Sequence, residues 1–205
     1  MPGPARSAPP IANRLELPLG EGYALRVDFD RAHDRWQHRV FLVVPANSEI
    51  VGPVLLLESI EGTADDDWPI SPPLQFVSIE TRPKQLPVAL LMGMSGDGHW
   101  SASIEQLAAD QTLRFDIACR AKSRPANLGS RYRIGPRVEN AQQDNSVQLR
   151  VGKLTLEFMG EQAKDSPLPT IQLQEKELHT QFNEPVQEGA QTYRWIYRLR
   201  AIPAS

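Results

Sequence analysis

An all-β domain is the fold class this sequence predicts: an antiparallel β-sandwich or flattened β-barrel of about ten strands with little helix. Three observations carry it. Apolar and polar residues alternate at period two through most of the chain, the pattern of half-buried antiparallel strands. The alternating runs are short and close together, and no long amphipathic helix separates them. The 18 prolines gather at the start of the chain and between the runs, where a sheet tolerates them. No internal repeat of fixed period is present, which argues against a propeller or solenoid.

Pro2, Pro4, Pro9, Pro10 and Pro18 make residues 1–18 an extended, disordered tail with no helix, leaving 19–205 as a single domain. Tyr23, Leu25, Val27 and Phe29 then alternate with Ala24, Arg26, Asp28 and Asp30. Trp36, His38, Val40, Leu42 and Val44 share one face of a second strand, with Asp30 to Arg35 as the hairpin loop between. Val54 to Ile60 is a third, more fully apolar strand, followed by a loop from Glu61 to Pro73 rich in Asp and Pro. Leu74, Phe76 and Ser78 alternate with Gln75, Val77 and Ile79.

Ser95-Gly96-Asp97-Gly98, between Val88–Met94 and His99–Glu105, is the strongest hairpin signal in the chain. Trp100, Ala102 and Ile104 point to one side of the second strand and His99, Ser101, Ser103 and Glu105 to the other. Leu107 to Asp110 reads as a helical turn. Leu113, Phe115, Ile117 and Cys119 alternate with Arg114, Asp116, Ala118 and Arg120. Ser130–Ile134 is a short strand; Val147 to Phe158 is a pair of runs broken at Gly152, a bulge or turn. Gly160 to Pro169 is a long loop. Ile171–Leu173 is a strand, although Leu173–Phe182 also fits a short helix. Tyr193, Trp195, Tyr197 and Leu199 alternate with Arg194, Ile196, Arg198 and Arg200 in the last strand.

Composition bounds the rest. With 40% hydrophobic and 23% charged residues over 205 positions, the chain can bury a core and is neither collagen-like nor a disulfide scaffold. No apolar run approaches the ~20 residues of a membrane span. A single cysteine forms no internal disulfide, and the N-terminus has no apolar signal-peptide segment, so a cytoplasmic location is expected.

The net charge of −3 conceals an uneven distribution. Val40 to Thr81 holds Glu49, Glu58, Glu61, Asp65, Asp66, Asp67 and Glu80 without one lysine or arginine. Thr112 to Arg137 sets Arg114, Arg120, Lys122, Arg124, Arg131, Arg133 and Arg137 against Asp116 alone. The two stretches can neutralise each other within one molecule, pair between subunits, or bind separate ligands.

Motifs of chemistry are sparse. Gly93-Met94-Ser95-Gly96-Asp97 lacks the last glycine and the following helix of a nucleophile elbow. Asp28, Asp30, His33, Asp34 and His38 form the densest His/Asp cluster, but His38 falls on the apolar parity of its strand, so no metal site is assigned. Asp65-Asp66-Asp67 lacks calcium-loop spacing, and neither phosphate-binding glycine motif occurs. Cys119 lies on the buried parity and reads as inert.

The polar strand face is the best candidate site. His99, Ser101 and Ser103 would lie beside Arg114 and Arg120 of the next strand, and Arg131, Arg133, Arg194, Arg198 and Arg200 would extend an arginine-rich platform if they share the sheet. Such a platform suits an anionic small molecule or an acidic protein surface. The competing reading is a solvated face whose arginines pair with Glu105, Asp116 and Glu157.

The run His99-Trp100-Ser101-x-Ser103-x-Glu105, with Phe115-Asp116-Ile117-Ala118-Cys119-Arg120 and Leu128-Gly129-Ser130-x-Tyr132, resembles an uncharacterised bacterial family of planctomycete-type genomes. The resemblance spans about residues 50–135 and implies neither an activity nor a ligand. The expected function is therefore non-catalytic binding through the arginine-rich face, with no cofactor, a homo-oligomer as a possible form, and neither nucleic acid nor membrane as partner. One alternative is a hydrolytic or metal-assisted enzyme using His99 or the Asp28–His38 cluster. Another is a carbohydrate-binding module stacking sugars on Tyr193, Trp195 and Tyr197.

Overall fold

The computed structural model describes residues 13–81, 83, 85–185 and 189–202. Alternation dictates strands almost throughout. In chain order they are β1 (Arg14–Gly20), β2 (Tyr23–Ala32), β3 (Arg35–Val43), β4 (Val54–Ser59) and β5 (Phe76–Glu80). Next come β6 (Val88–Ser95), β7 (Gly98–Leu107), β8 (Thr112–Ala121), β9 (Gly129–Ile134) and β10 (Glu139–Gln143). The last are β11 (Ser146–Val151), β12 (Leu154–Glu161), β13 (Thr170–Gln174), β14 (Glu177–Gln181) and β15 (Gln191–Ile202). The one helical element among the described residues is a 3-10 turn at Ala108–Asp110, where the sequence predicts a helical turn.

These strands form two antiparallel sheets packed face to face. One has seven strands in the order β1-β2-β3-β4-β9-β14-β13, the other eight in the order β10-β11-β12-β15-β8-β7-β6-β5. Each sheet ends in two edge strands, so the fold is a sandwich and not the flattened barrel. Inward residues of both sheets make a single core. Its centre is aromatic: Tyr132 of β9 packs edge-on against Phe115, Phe158 and Tyr197 of the opposite sheet.

Several expectations are corrected. Of the supposed tail, residues 1–12 lie outside the described residues, whereas 14–18 belong to β1, which buries Leu15, Leu17 and Leu19. Pro18 is accommodated because β1 is an edge strand. The loop predicted from Asp30 to Arg35 shrinks to the two-residue turn His33-Asp34, since Ala32 already pairs with Arg35. The Leu173–Phe182 helix is replaced by a β13–β14 hairpin turning at Glu175, which adopts a positive φ of 55°.

The outer edge of β13 is closed by side chains. Gln142, in β10 of the opposite sheet, donates from Nε2 to the Ile171 carbonyl at 3.3 Å and accepts from the Leu173 N–H at 2.7 Å. Asn145 donates to the Pro169 carbonyl at 3.0 Å and accepts from the Ile171 N–H at 2.7 Å. Two amides thus occupy ladder positions that a further strand would otherwise fill, and they tie the sheets together.

Candidate functional site

The predicted site residues divide between the two sheets. His99, Ser101 and Ser103 of β7 do face outward beside β8, with His99 opposite Arg120, Ser103 opposite Asp116 and Glu105 opposite Arg114. Arg131 and Arg133 belong to β9 in the other sheet, so they lie on the far side of the sandwich. Arg133 there pairs with Glu58 at 3.3 Å, which among the described residues is the one ion pair joining the acidic and basic stretches.

On the eight-stranded sheet most arginines are already held by carboxylates. Arg114 meets Glu161 at 3.0 Å, Glu105 at 3.1 Å and Asp116 at 3.2 Å. Arg194 grips Asp116 with two nitrogens, at 2.8 and 2.6 Å, Arg198 reaches Glu161 at 2.6 Å, and Arg200 reaches Glu157 at 2.7 Å. Partial burial favours a protonated Asp116, but Arg194 and Arg114 outweigh it and hold the carboxyl below its ordinary range. This part of the platform is a closed charge network. Arg114 thus has its Nε and Nη1 already engaged by carboxylates.

Arg120 differs. Its guanidinium has no hydrogen-bond or ion partner among the described residues, and it is exposed at the end of β8. The row Met94–His99–Arg120–Thr192 crosses β6, β7, β8 and β15, and the row Phe76–Met92–Ser101–Ala118 runs beside it. Together these side chains line an open hollow of about 530 Å³, which also takes in Gln75, Gly93 and Trp100. Phe76, Met92 and Met94 are each more than half exposed there, against the usual tendency of such residues to be covered. Gly93 is required by close approach: a Cβ at that position would stand 1.7 Å from the Pro73 carbonyl oxygen, in the segment that leads into β5. Ser103 lies outside the hollow, further along β7. The apolar rim was missed in the sequence because a methionine at alternate spacing signals only a strand face, not whether that face is covered.

A second polar group lies inside the sandwich. Burial carries His38 into the core, where its Nε2 meets the Tyr132 hydroxyl at 2.8 Å, and that hydroxyl meets the Tyr197 hydroxyl at 2.5 Å. Ser59 Oγ accepts from the His38 backbone N–H at 3.0 Å and donates to Glu61 Oε1 at 2.6 Å. Desolvation pushes His38 down to about 4. It also pushes Glu61 up to about 7, against the opposing hydrogen bond from Ser59 and the charge of Arg35. Tyr132 and Tyr197 are raised by burial as well. The space between these groups is about 10 Å³, too small for a substrate. Sequence reasoning missed Glu61 and Tyr132, and gave Tyr197 to a sugar platform, because pairing across two sheets leaves no spacing signature.

The other sequence candidates do not converge. Asp28 holds Arg14 at 2.6 Å and Arg26 at 3.1 Å on the outer face of β2, and Asp30 holds Arg39 at 2.5 Å, while His38 points the opposite way. Among the described residues no group of three or more His, Cys, Asp or Glu is placed to hold a metal ion. The Tyr193, Trp195 and Tyr197 stripe is core, with Trp195 wholly buried, which removes the proposed sugar platform. Burial and the charge of Asp97 push the Cys119 thiol up to about 12. No protein-family model matches the chain, nor does any curated protein or solved structure.

Proposed function

We propose that the chain is a non-catalytic binding protein whose hollow beside Arg120 takes an amphipathic anion, an apolar body ending in a carboxylate. One observation carries this reading. Among the described residues Arg120 is the arginine of this sheet face left without a carboxylate, and it stands at the rim of a hollow walled by exposed Phe76, Met92 and Met94. A planar guanidinium favours a carboxylate by two parallel hydrogen bonds, and His99, Ser101 and Thr192 supply further polar contacts around it. The thioethers and the phenyl ring supply adaptable apolar area for the rest of the ligand. The hollow is of the size that small-ligand sites usually have.

Calorimetric titration of the full chain with 4-phenylbutyrate, and with the neutral 4-phenylbutanol, tests the reading. The acid should bind at least about tenfold more tightly than the alcohol, the factor that ~1.4 kcal/mol represents. Arg120→Met should abolish that preference, and Met92→Ser should weaken both compounds. Absence of saturable binding, or an acid preference that survives Arg120→Met, would overturn it.

A further inference from the structure

We propose that the internal cavity is a binding site for one water molecule, which joins the His38 imidazole to the Glu61 carboxyl. The site is independent of the Arg120 hollow. Its walls come from both sheets and from the segment after β4: His38, Ser59, Glu61, Ser71, Tyr132 and Tyr197 supply polar groups, and Ile104, Phe115 and Ile117 close the apolar side. The volume of about 10 Å³ is the room a single water needs.

His38 and Glu61 both line this cavity, and each carries one buried side-chain atom without a partner among the described residues, Nδ1 and Oε2. Neighbouring polar atoms are already engaged. Ser59 Oγ serves the His38 N–H and Glu61 Oε1, Ser71 Oγ accepts from the Arg131 N–H at 3.0 Å, and the Tyr132 hydroxyl lies between His38 and Tyr197. Leaving a buried donor or acceptor unpaired forfeits its hydration with nothing in return, so such atoms in folded proteins are met by protein or by ordered water.

One water satisfies both atoms whichever imidazole nitrogen carries the proton. If Nδ1 is protonated, it donates to the water oxygen and the water donates to Glu61 Oε2. If Nε2 is protonated, the water donates one hydrogen to Nδ1 and the other to Oε2. Nonpolar cavities of this size stay dry; this one has the two polar contacts that hold a water in place. The result is a hydrogen-bonded row running from Glu61 through the water, His38 and Tyr132 to Tyr197.

Oxygen-17 magnetic relaxation dispersion counts long-lived internal waters in the full chain and tests the proposal directly. Glu61→Leu and His38→Phe each remove one polar contact and fill space, and each should lose one long-lived water relative to the wild type. Either variant suffices for the comparison if the other does not fold. A wild type with no long-lived water, or a folded variant that keeps the wild-type count, would overturn the assignment.

Discussion

Tyr132 on the seven-stranded sheet and Tyr197 on the eight-stranded sheet meet hydroxyl to hydroxyl at 2.5 Å, in the middle of the core. This contact makes the sandwich's centre a polar joint as well as an aromatic one. Tyr132 also serves His38 Nε2 at 2.8 Å, so Tyr132→Phe leaves two buried groups short of a partner. Tyr197→Phe breaks the joint but leaves Tyr132 bonded to His38. In urea unfolding we expect Tyr132→Phe to cost about 1–3 kcal/mol and Tyr197→Phe less. The double variant should cost less than the two together, with a coupling on the order of 1 kcal/mol. Strict additivity would show that the hydroxyl contact contributes nothing.

His38 and Glu61 depart from their ordinary values in opposite directions, and this predicts two opposed pH dependences of stability. Glu61 rises from 4.5 to about 7, so its contribution is full below 4.5 and is lost as pH climbs to 7. His38 falls from 6.5 to about 4, so its contribution is full above 6.5 and is lost as pH drops through 4. Of the groups facing Glu61, Asp34 is held below its ordinary range by the hydrogen bond from Arg35, and Tyr132 and Tyr197 are raised by burial, so none of these three changes charge between pH 4.5 and 7. Each slope is about 1.4 kcal/mol per pH unit, and the two cancel near pH 5–6. Removing either group exposes the other. Glu61→Gln should become less stable from pH 6.5 down to 4, and His38→Phe less stable from pH 4.5 up to 7, each by ~3 kcal/mol. Urea midpoints measured across the range check this; variants that both keep the wild-type profile would refute the assignment of the two groups.

Where burial has period two, the strands were legible in the sequence. β2, β3, β7 and β8 have the faces that alternation assigns them, and β15 departs only at Ile196, which is wholly buried on the parity of Arg194 and Arg198. β10 was not, because Glu139-Asn140-Ala141-Gln142-Gln143 is an edge strand without a large apolar residue and so has no contrast to read. β14 was hidden for the converse reason. It buries Leu178, His179 and Thr180 consecutively, because a central strand between β9 and β13 is covered on more than one side. Of the candidate site, the His99–Arg120 adjacency follows from hairpin order alone. The separation of Arg131 and Arg133 from it does not, since the chain crosses to the other sheet between β8 and β9, and such a crossover leaves no local signal.

Cys119 offers a check on burial that needs no substitution. It is wholly buried between Trp100 and Tyr193 in the ladder, and burial with the nearby Asp97 charge holds its thiol near 12. At pH 8 almost none of it is thiolate, and no reagent can reach it without opening the sheet. A chromogenic disulfide reagent should label the native chain at least about a hundredfold more slowly than the urea-unfolded chain, the ratio following the rarity of opening. Prompt stoichiometric labelling of the native form would contradict the inward placement of β8.

The Gln142 and Asn145 clamp makes the last prediction, which concerns an edge. Strand edges present unpaired backbone groups and invite association with other chains, so folded proteins cover or interrupt them. Here the cover is two side chains from the β10–β11 hairpin, and it satisfies the N–H groups of Ile171 and Leu173 and the carbonyls of Pro169 and Ile171. Gln142→Ala and Asn145→Ala each remove one donor and one acceptor without touching the core. Each should cost about 1 kcal/mol in global stability. The local effect should be larger: hydrogen exchange at Leu173 should accelerate in Gln142→Ala and at Ile171 in Asn145→Ala, each by about tenfold or more. Gln148→Ala, on the neighbouring β11, should change neither amide. With both clamps removed, β13 becomes an open edge, and sedimentation should report concentration-dependent self-association absent from the wild type. Unchanged exchange at both amides would mean that solvent serves that edge as well as the side chains do.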